Sequence, residues 1–152
     1  MLVHEFIRQV TDSILLLGAH INTPISLVTK PKFTQRVVVS LQVEGTHFWE
    51  GCNIPEVEYL KHPHRHVFHI KVWKRVKHDD REVEIIRLKH QIQDYLTKTY
   101  CDFDLKLCNF QGRSCEMIAE ELASVFELDA CEVLEDNENG ALIQKNILWE
   151  NI

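Results

Sequence analysis

Three histidines, His47, His64 and His66, have the residue type and the spacing that a metal centre needs. His64 and His66 are two residues apart in a strand-like run, so both imidazoles project from one face of the strand. His47 continues the period-two alternation of the apolar residues at 37–43 in a second strand-like segment. Three imidazole nitrogens at about 2.0–2.1 Å from one ion leave a fourth position open, as in catalytic zinc sites. The spacing therefore predicts a three-histidine site with Zn2+ as its ion.

The alternative is that these histidines lie by chance on solvent-exposed strands. The chain has nine histidines, so some of them are expected to be functionless. The agreement in phase between two separate strands favours the metal site. His69 falls on the opposite face of its strand and is expected to be solvent-exposed.

Glu135 is a second candidate for chemistry. It continues the apolar phase of Cys131 and Val133, and an inward carboxylate is costly unless it is paired or meets a ligand. A carboxylate can accept two parallel N–H bonds, which suits a cyclic guanidine-like edge. The alternative is a strand-end glutamate that reaches solvent. Glu116 lies in the first turn of a predicted helix, where it compensates the helix dipole or contributes to a ligand site.

The elements that must position these residues follow from periodicity and turn signals. Alternating residues predict strands and apolar residues at helical spacing predict helices. The predicted elements are strands from Arg36 and at 64–77, helices at 82–98 and from Ser114, and strands at 130–136 and 141–148. The segment His78-Asp79-Asp80 is expected to cap the first helix, and residues 137–140 to form a hairpin turn. This ββααββ order predicts an α+β fold with a four-stranded antiparallel sheet and two helices on one face.

Residues 1–35 differ from the rest of the chain. Apolar residues at helical spacing between Phe6 and Leu17 are followed by Thr23-Pro24 and Lys30-Pro31. We expect an N-terminal extension with one short helix, or alternatively a strand, and a single domain at 36–152.

Composition limits the classes of function. The formal net charge of −6 argues against a nucleic-acid partner. No run reaches the roughly 18 apolar residues of a membrane span, and the N-terminus lacks the pattern of a signal peptide. The five cysteines form no C-x-x-C pair, which predicts reduced thiols that serve mainly as packing residues and a cytoplasmic location.

Four segments together resemble the 6-pyruvoyl-tetrahydropterin synthase and 6-carboxytetrahydropterin synthase family. They are Val43-Glu44-Gly45-Thr46-His47, His64-Arg65-His66-Val67-Phe68-His69-Ile70, Arg113-Ser114-Cys115-Glu116 and Val133-Leu134-Glu135. The resemblance covers about 36–148. It implies the T-fold, zinc on the three histidines, and a pterin- or guanine-like ligand held by Glu135, with Glu116 as a further ligand-binding candidate. It also implies lyase-type chemistry on the ligand side chain.

The chain departs from the family pattern at the residues that move protons. The family's cysteine shortly before the histidine pair is missing, and the nearest thiol is Cys52. The family's Asp-His pair would fall near Asp102 and Asp104, where no histidine occurs. The acid/base candidates are therefore Cys52, His62, Asp102 and Asp104.

These departures leave the function open between alternatives. The first is a zinc-dependent enzyme acting on a pterin or guanine-derived compound. The second is a non-catalytic T-fold protein that binds a pterin, purine or nucleotide, and the third is an oligomer stabilised by zinc. Exposed sheet edges and the resemblance together predict a homo-oligomer, a hexamer or similar, closed into a barrel, with Glu135 serving a neighbouring chain's site.

Overall fold

A computed structural model describes residues 33–146 of the chain, apart from residues 103 and 106. The elements in chain order are β1 (Gln35–His47), a 3-10 helix (Pro55–Lys61), β2 (His64–Val76), α1 (Ile85–Tyr100), β3 (Cys108–Gln111), α2 (Cys115–Val125), β4 (Ala130–Glu135) and β5 (Asn139–Gln144). The α+β class is confirmed. The helix expected near the N-terminus and the end of the last predicted strand lie outside the described residues.

The sheet has five strands in the order β3-β1-β2-β4-β5. Strands β1, β2, β4 and β5 pair antiparallel, as the sequence predicted. The prediction of a purely antiparallel four-stranded sheet was wrong, because β3 adds to β1 in parallel. This strand was missed because four residues are too few for alternation to stand out from a loop.

The core lies between one face of the sheet and the two helices. The sheet contributes alternating apolar residues, and the helices contribute residues at helical spacing. The largest fully buried side chains include Phe68, Ile70, Phe110, Ile92 and Ile118. Alternate residues of β1 and β2 face the core along the whole of each strand. The three histidines lie at these alternate positions, so they point to the same side of the sheet as the core.

Helix α1 begins later than predicted. Its N-cap is Glu84, whose carboxylate accepts hydrogen bonds from the N–H groups of Ile86 and Arg87 at 3.1 and 2.6 Å. One carboxylate thus satisfies two of the free amides of the first turn, and the cap predicted at residues 78–80 is not used. Ile85, expected in the inward stripe, is 48 % exposed. Helix α2 begins as predicted, with Ser114 Oγ accepting a hydrogen bond from the Met117 N–H at 3.4 Å.

One pair of cysteines lies close together. An isolated β-bridge between the end of α1 and β3 places Cys101 opposite Cys108, with the two sulfur atoms in contact. Because β3 was not foreseen, neither was this pairing. Cys52, Cys115 and Cys131 are free and buried. Among the described residues, no helix has the length and apolar character needed to cross a membrane.

Candidate metal centre

The pairing of β1 with β2 brings three histidine rings together at one end of the sheet. In this register His47 lies opposite His64, and Gly45 lies opposite His66. The His47 ring centroid is 4.5 Å from that of His64 and 5.3 Å from that of His66, and the latter two are 5.1 Å apart. One ligand nitrogen from each ring lies within 4.8 Å of the others. The three residues predicted as metal ligands therefore form a single cluster.

Each ring is oriented by a contact at Nδ1. His47 Nδ1 lies 3.1 Å from the carbonyl oxygen of Arg113, and His64 Nδ1 lies 2.8 Å from that of His62. His66 Nδ1 lies 2.6 Å from a carboxylate oxygen of Asp136. A carbonyl oxygen only accepts hydrogen bonds, as does an ionised carboxylate, so the proton of each neutral ring belongs on Nδ1. The Nε2 lone pairs are then free for a cation.

The Nε2 atoms of His47 and His66 are buried and have no hydrogen-bond partner among the described residues. Glu135 faces both of them, with Oε1 at 3.2 Å from His47 Nε2 and Oε2 at 3.5 Å from His66 Nε2. A carboxylate opposite two unprotonated nitrogens is repulsive unless a positive charge lies between them. Buried polar atoms without partners are costly, so this donor set fits a bound cation.

Aromatic side chains of the core pack against the histidine rings. The fully buried Phe68 meets His47 edge to face at 5.2 Å between ring centroids and meets His66 at 6.0 Å. Phe110 in turn packs on the Phe68 ring at 4.8 Å. Burial lowers the pKa of His47 below its ordinary value. The His47 ring is therefore neutral near pH 7, which is the form that binds a metal.

A polar cluster beside the site holds the loop that carries the Arg113 carbonyl. Glu121 on α2 accepts hydrogen bonds from the hydroxyls of Tyr95 and Tyr100 at 2.7 and 2.6 Å. Its other oxygen lies 2.7 Å from Arg113 Nη1, and the Arg113 guanidinium lies over the Tyr100 ring at 5.4 Å. The position of the carbonyl that orients His47 is thus tied to both helices.

A cavity of about 510 Å3 opens next to the histidines. His47, His64 and Glu135 lie at one side of it, and Trp49, Leu60 and Met117 add apolar surface. This volume is in the range of small-molecule sites, and apolar walls with a few polar groups are typical of them. Glu135 therefore lies at its own chain's histidines, and a second chain is not needed to bring it there.

Of the other predicted site residues, Glu116 lines the cavity and Cys52 does not. Glu116 lines the cavity, and its pKa is lowered by a hydrogen bond from the Ser114 side chain. The Cys52 thiol is buried and donates to the Val57 carbonyl oxygen at 3.5 Å, and Cys52 is not among the residues that line the cavity.

The remaining acid/base candidates also lie outside the cavity lining. His62 has an exposed side chain, and its carbonyl oxygen orients His64. Asp102 accepts hydrogen bonds from the N–H groups of Asp104 and Leu105 at 2.9 and 3.0 Å, which closes a local turn. Asp104 is exposed. Within one chain, the structure brings the metal ligands together with Glu135 and places Glu116 at the same cavity, whereas none of the four acid/base candidates is among the residues that line this cavity.

Sequence reasoning missed Cys115 as a residue of the site. Its thiol donates to Glu135 Oε1 at 3.4 Å and lines the cavity. Burial, reinforced by the Glu135 charge, raises the pKa of Cys115 to about 12, so the thiol is protonated at neutral pH. The signal was its place directly after the N-cap Ser114, in a segment already singled out for its glutamate.

The fold and the site together define an α+β domain with a three-histidine candidate metal centre beside a cavity. Neither the protein-family models nor the curated protein sequences with which the chain was compared gave a match. The resemblance to the pterin synthases therefore remains a prediction from the four sequence motifs.

Proposed function

We propose that this chain is a zinc-containing T-fold protein of the 6-pyruvoyl-tetrahydropterin synthase type, acting on a pterin or guanine-derived compound. The observation that carries the proposal is the convergence of His47, His64 and His66 beside a cavity that also contains Glu135. Two of the three nitrogen ligands, His47 and His64, line a ligand-sized cavity, which favours a centre that meets a small molecule over a closed structural site.

The residues of the cavity have separate roles in this proposal. Zinc, when bound, supplies a Lewis acid that polarises an oxygen of the ligand side chain. Glu135 and Glu116 both line the cavity; in this proposal Glu135 accepts two N–H bonds from a guanidine-like edge of the ligand, and Glu116 is a second carboxylate for the ligand. Trp49 and Met117 provide apolar surface for a flat ring.

A non-catalytic binding protein is the second candidate. It is favoured by the positions of the proton-transfer candidates. The Cys52 thiol is hydrogen-bonded to a backbone carbonyl, and the Asp102 carboxylate accepts a hydrogen bond from the N–H of Asp104 in a local turn. Among the residues that line the cavity, Cys115 is the one with a thiol, and with a pKa of about 12 this thiol stays protonated near pH 7 and is not available as a base. In this alternative the cavity holds a pterin, purine or nucleotide without converting it.

The proposal includes a homo-oligomer, a hexamer or similar, that closes the sheets of several chains into a barrel. Within the described residues, β3 and β5 are the edge strands of the sheet. Unpaired edges favour pairing with further strands. Light scattering that gives a monomer at micromolar concentration would contradict this part of the proposal.

The test of the metal centre is elemental analysis of the purified chain. We expect about one zinc per chain, lost in His66→Ala and kept in His69→Ala, since His69 faces the opposite side of β2 and contacts Gln42 at 3.2 Å. A wild-type chain that retains no metal after dialysis against zinc would refute the proposal.

The second test separates the enzyme from the binding protein. The zinc-loaded chain is incubated with a reduced pterin that carries a hydroxylated side chain, and the products are identified by mass spectrometry. A changed side chain that requires His66 supports the enzyme. Saturable binding with unchanged ligand supports the binding protein, and no binding by either assay contradicts the ligand class.

A further inference from the structure

Asp136 lies at the end of β4 and contacts β2 through three hydrogen bonds. Its N–H donates to the Val67 carbonyl oxygen at 2.9 Å, and its Oδ1 accepts from the Val67 N–H at 2.9 Å. Its Oδ2 lies 2.6 Å from His66 Nδ1. Of the three acceptors that orient the histidines, this is the one that a side chain supplies.

We propose that Asp136 is a positioning residue of the metal centre, which fixes His66 in the Nδ1–H tautomer and so directs its Nε2 lone pair at the ion. Both oxygens of Asp136 receive an N–H group, one from the backbone and one from the ring. Only a carboxylate accepts at both atoms, because an amide has one acceptor and one donor. The proposal depends on the metal centre of the proposed function and adds a residue that neither the spacing of the histidines nor the resemblance assigned.

The backbone conformation at Asp136 makes asparagine a suitable test substitution. Its φ is 51°, in the left-handed region where Asp and Asn are the most tolerated residues after Gly. Asp136→Asn therefore retains the backbone preference and nearly the same size. It places an NH2 group against either the Val67 N–H or the His66 Nδ1–H. Against Nδ1, the NH2 group favours the tautomer with the proton on Nε2, in which Nε2 has no lone pair to offer the ion.

The chain offers a matched control at the opposite end of β4. Asp129 also donates its N–H to a β2 carbonyl, that of Trp73, at 2.8 Å, and its carboxylate accepts from the Arg75 N–H. It contacts no histidine among the described residues. Its side chain is also the less exposed, at 17 % against 51 % for Asp136. Asp129→Asn therefore reports the cost of losing a strand-bracing carboxylate without a change at the metal ligands.

The experiment measures zinc dissociation constants of the wild type, Asp136→Asn and Asp129→Asn by competition with a chelator, together with the Tm of each metal-free chain. We expect zinc to bind Asp136→Asn about 10- to 100-fold more weakly than the wild type, the usual effect of losing such an outer partner. Asp129→Asn is expected to bind zinc within about twofold of the wild type, whatever its Tm. Equal zinc affinity in the wild type and Asp136→Asn would overturn the inference and leave the metal centre intact.

A second measurement on the wild type does not depend on the variants. Long-range 1H–15N correlation spectra of the metal-free chain at neutral pH identify which ring nitrogen of His66 carries the proton. A proton on Nδ1 alone supports the inference. A proton on Nε2, or on both nitrogens, would overturn it. Failure of the wild type to bind zinc, with Nδ1 protonated, would instead refute the metal centre of the proposed function.

Discussion

Replacing Gly45 with Ala tests whether the packing beneath the histidines is as tight as the structure shows. A Cβ at this position would lie 2.6 and 2.9 Å from two ring atoms of Phe110 and 3.2 Å from the Cys108 carbonyl oxygen. The Phe110 ring cannot retreat freely, because it is fully buried and packs on Phe68 at 4.8 Å and on Tyr100 at 5.0 Å between ring centroids. The extra methyl group must therefore displace either the ring or β3.

The expected cost is that of overpacking a close-packed core, about 1–3 kcal/mol in the free energy of unfolding. For a domain of roughly 100 residues, each kcal/mol lowers Tm by about 4–8 °C. Urea denaturation of the metal-free chain measures the loss directly. Because Phe110 packs on Phe68, and Phe68 supports His47 at 5.2 Å, we also expect weaker zinc binding, about tenfold for each 1.4 kcal/mol that reaches the site.

The matched control is Gly112→Ala, because Gly112 has nothing within 4 Å of its added Cβ. We expect its urea midpoint to equal that of the wild type within error. Adding Phe110→Leu to Gly45→Ala should give a smaller loss than the sum of the two single changes, because the shorter side chain makes room for the methyl group. A Gly45→Ala chain as stable as the wild type, or fully additive losses in the pair, would refute this account of the packing.

Two further predictions concern stability. Glu121→Gln removes the charged acceptor shared by two tyrosines and Arg113, so we expect urea denaturation to show that the free energy of unfolding falls by about 1.5–3 kcal/mol. The control is Glu120→Gln, at an exposed residue, which should change this free energy by less than about 0.5 kcal/mol. Equal losses in the two variants would contradict the role of the cluster. Burial raises the pKa of Cys131 from 9.0 to about 12, so this thiol stays protonated in the folded chain while it ionises in the unfolded chain above pH 9. Its contribution to stability is therefore complete below pH 9 and is lost between pH 9 and 12, by up to about 1.4 kcal/mol per pH unit, and Cys131→Ala should flatten this slope. An alkaline slope that is identical in Cys131→Ala would refute the assignment.

Long elements with a buried face were predictable from the sequence. Strands β1 and β2 each have 13 residues, so their alternation is repeated often enough to fix both the element and its phase. The phase alone then places His47, His64 and His66 on the core side of the sheet. Short or locally determined features were not predictable: β3 has four residues, and the start of α1 depends on which of several acidic residues reaches its free amides.

Only some residues of the candidate site were predictable from the sequence. The metal ligands and Glu135 were identified because their residue types are unusual on an apolar phase of a strand. Cys115 and Asp136 were missed, because a buried thiol is ordinary packing by sequence and an aspartate after a strand is an ordinary turn residue. Their importance follows from distances to Glu135 and His66 that only the folded chain defines.

The orientation of the ligands is the part of the site that no sequence pattern carries. Two of the three Nδ1 partners are backbone carbonyls, those of Arg113 and His62, and a carbonyl is present at every residue. What places the Arg113 carbonyl is the Glu121 cluster, and what places the His62 carbonyl is the step from the 3-10 helix into β2. A sequence with the same three histidines but without these supports would have the ligand residues, but their Nε2 atoms would not be directed at one ion. The capacity to bind a metal with all three rings therefore depends on residues that are not ligands, and this is why Asp136, the one side-chain acceptor among the three, is the most direct place to weaken the centre without removing a ligand.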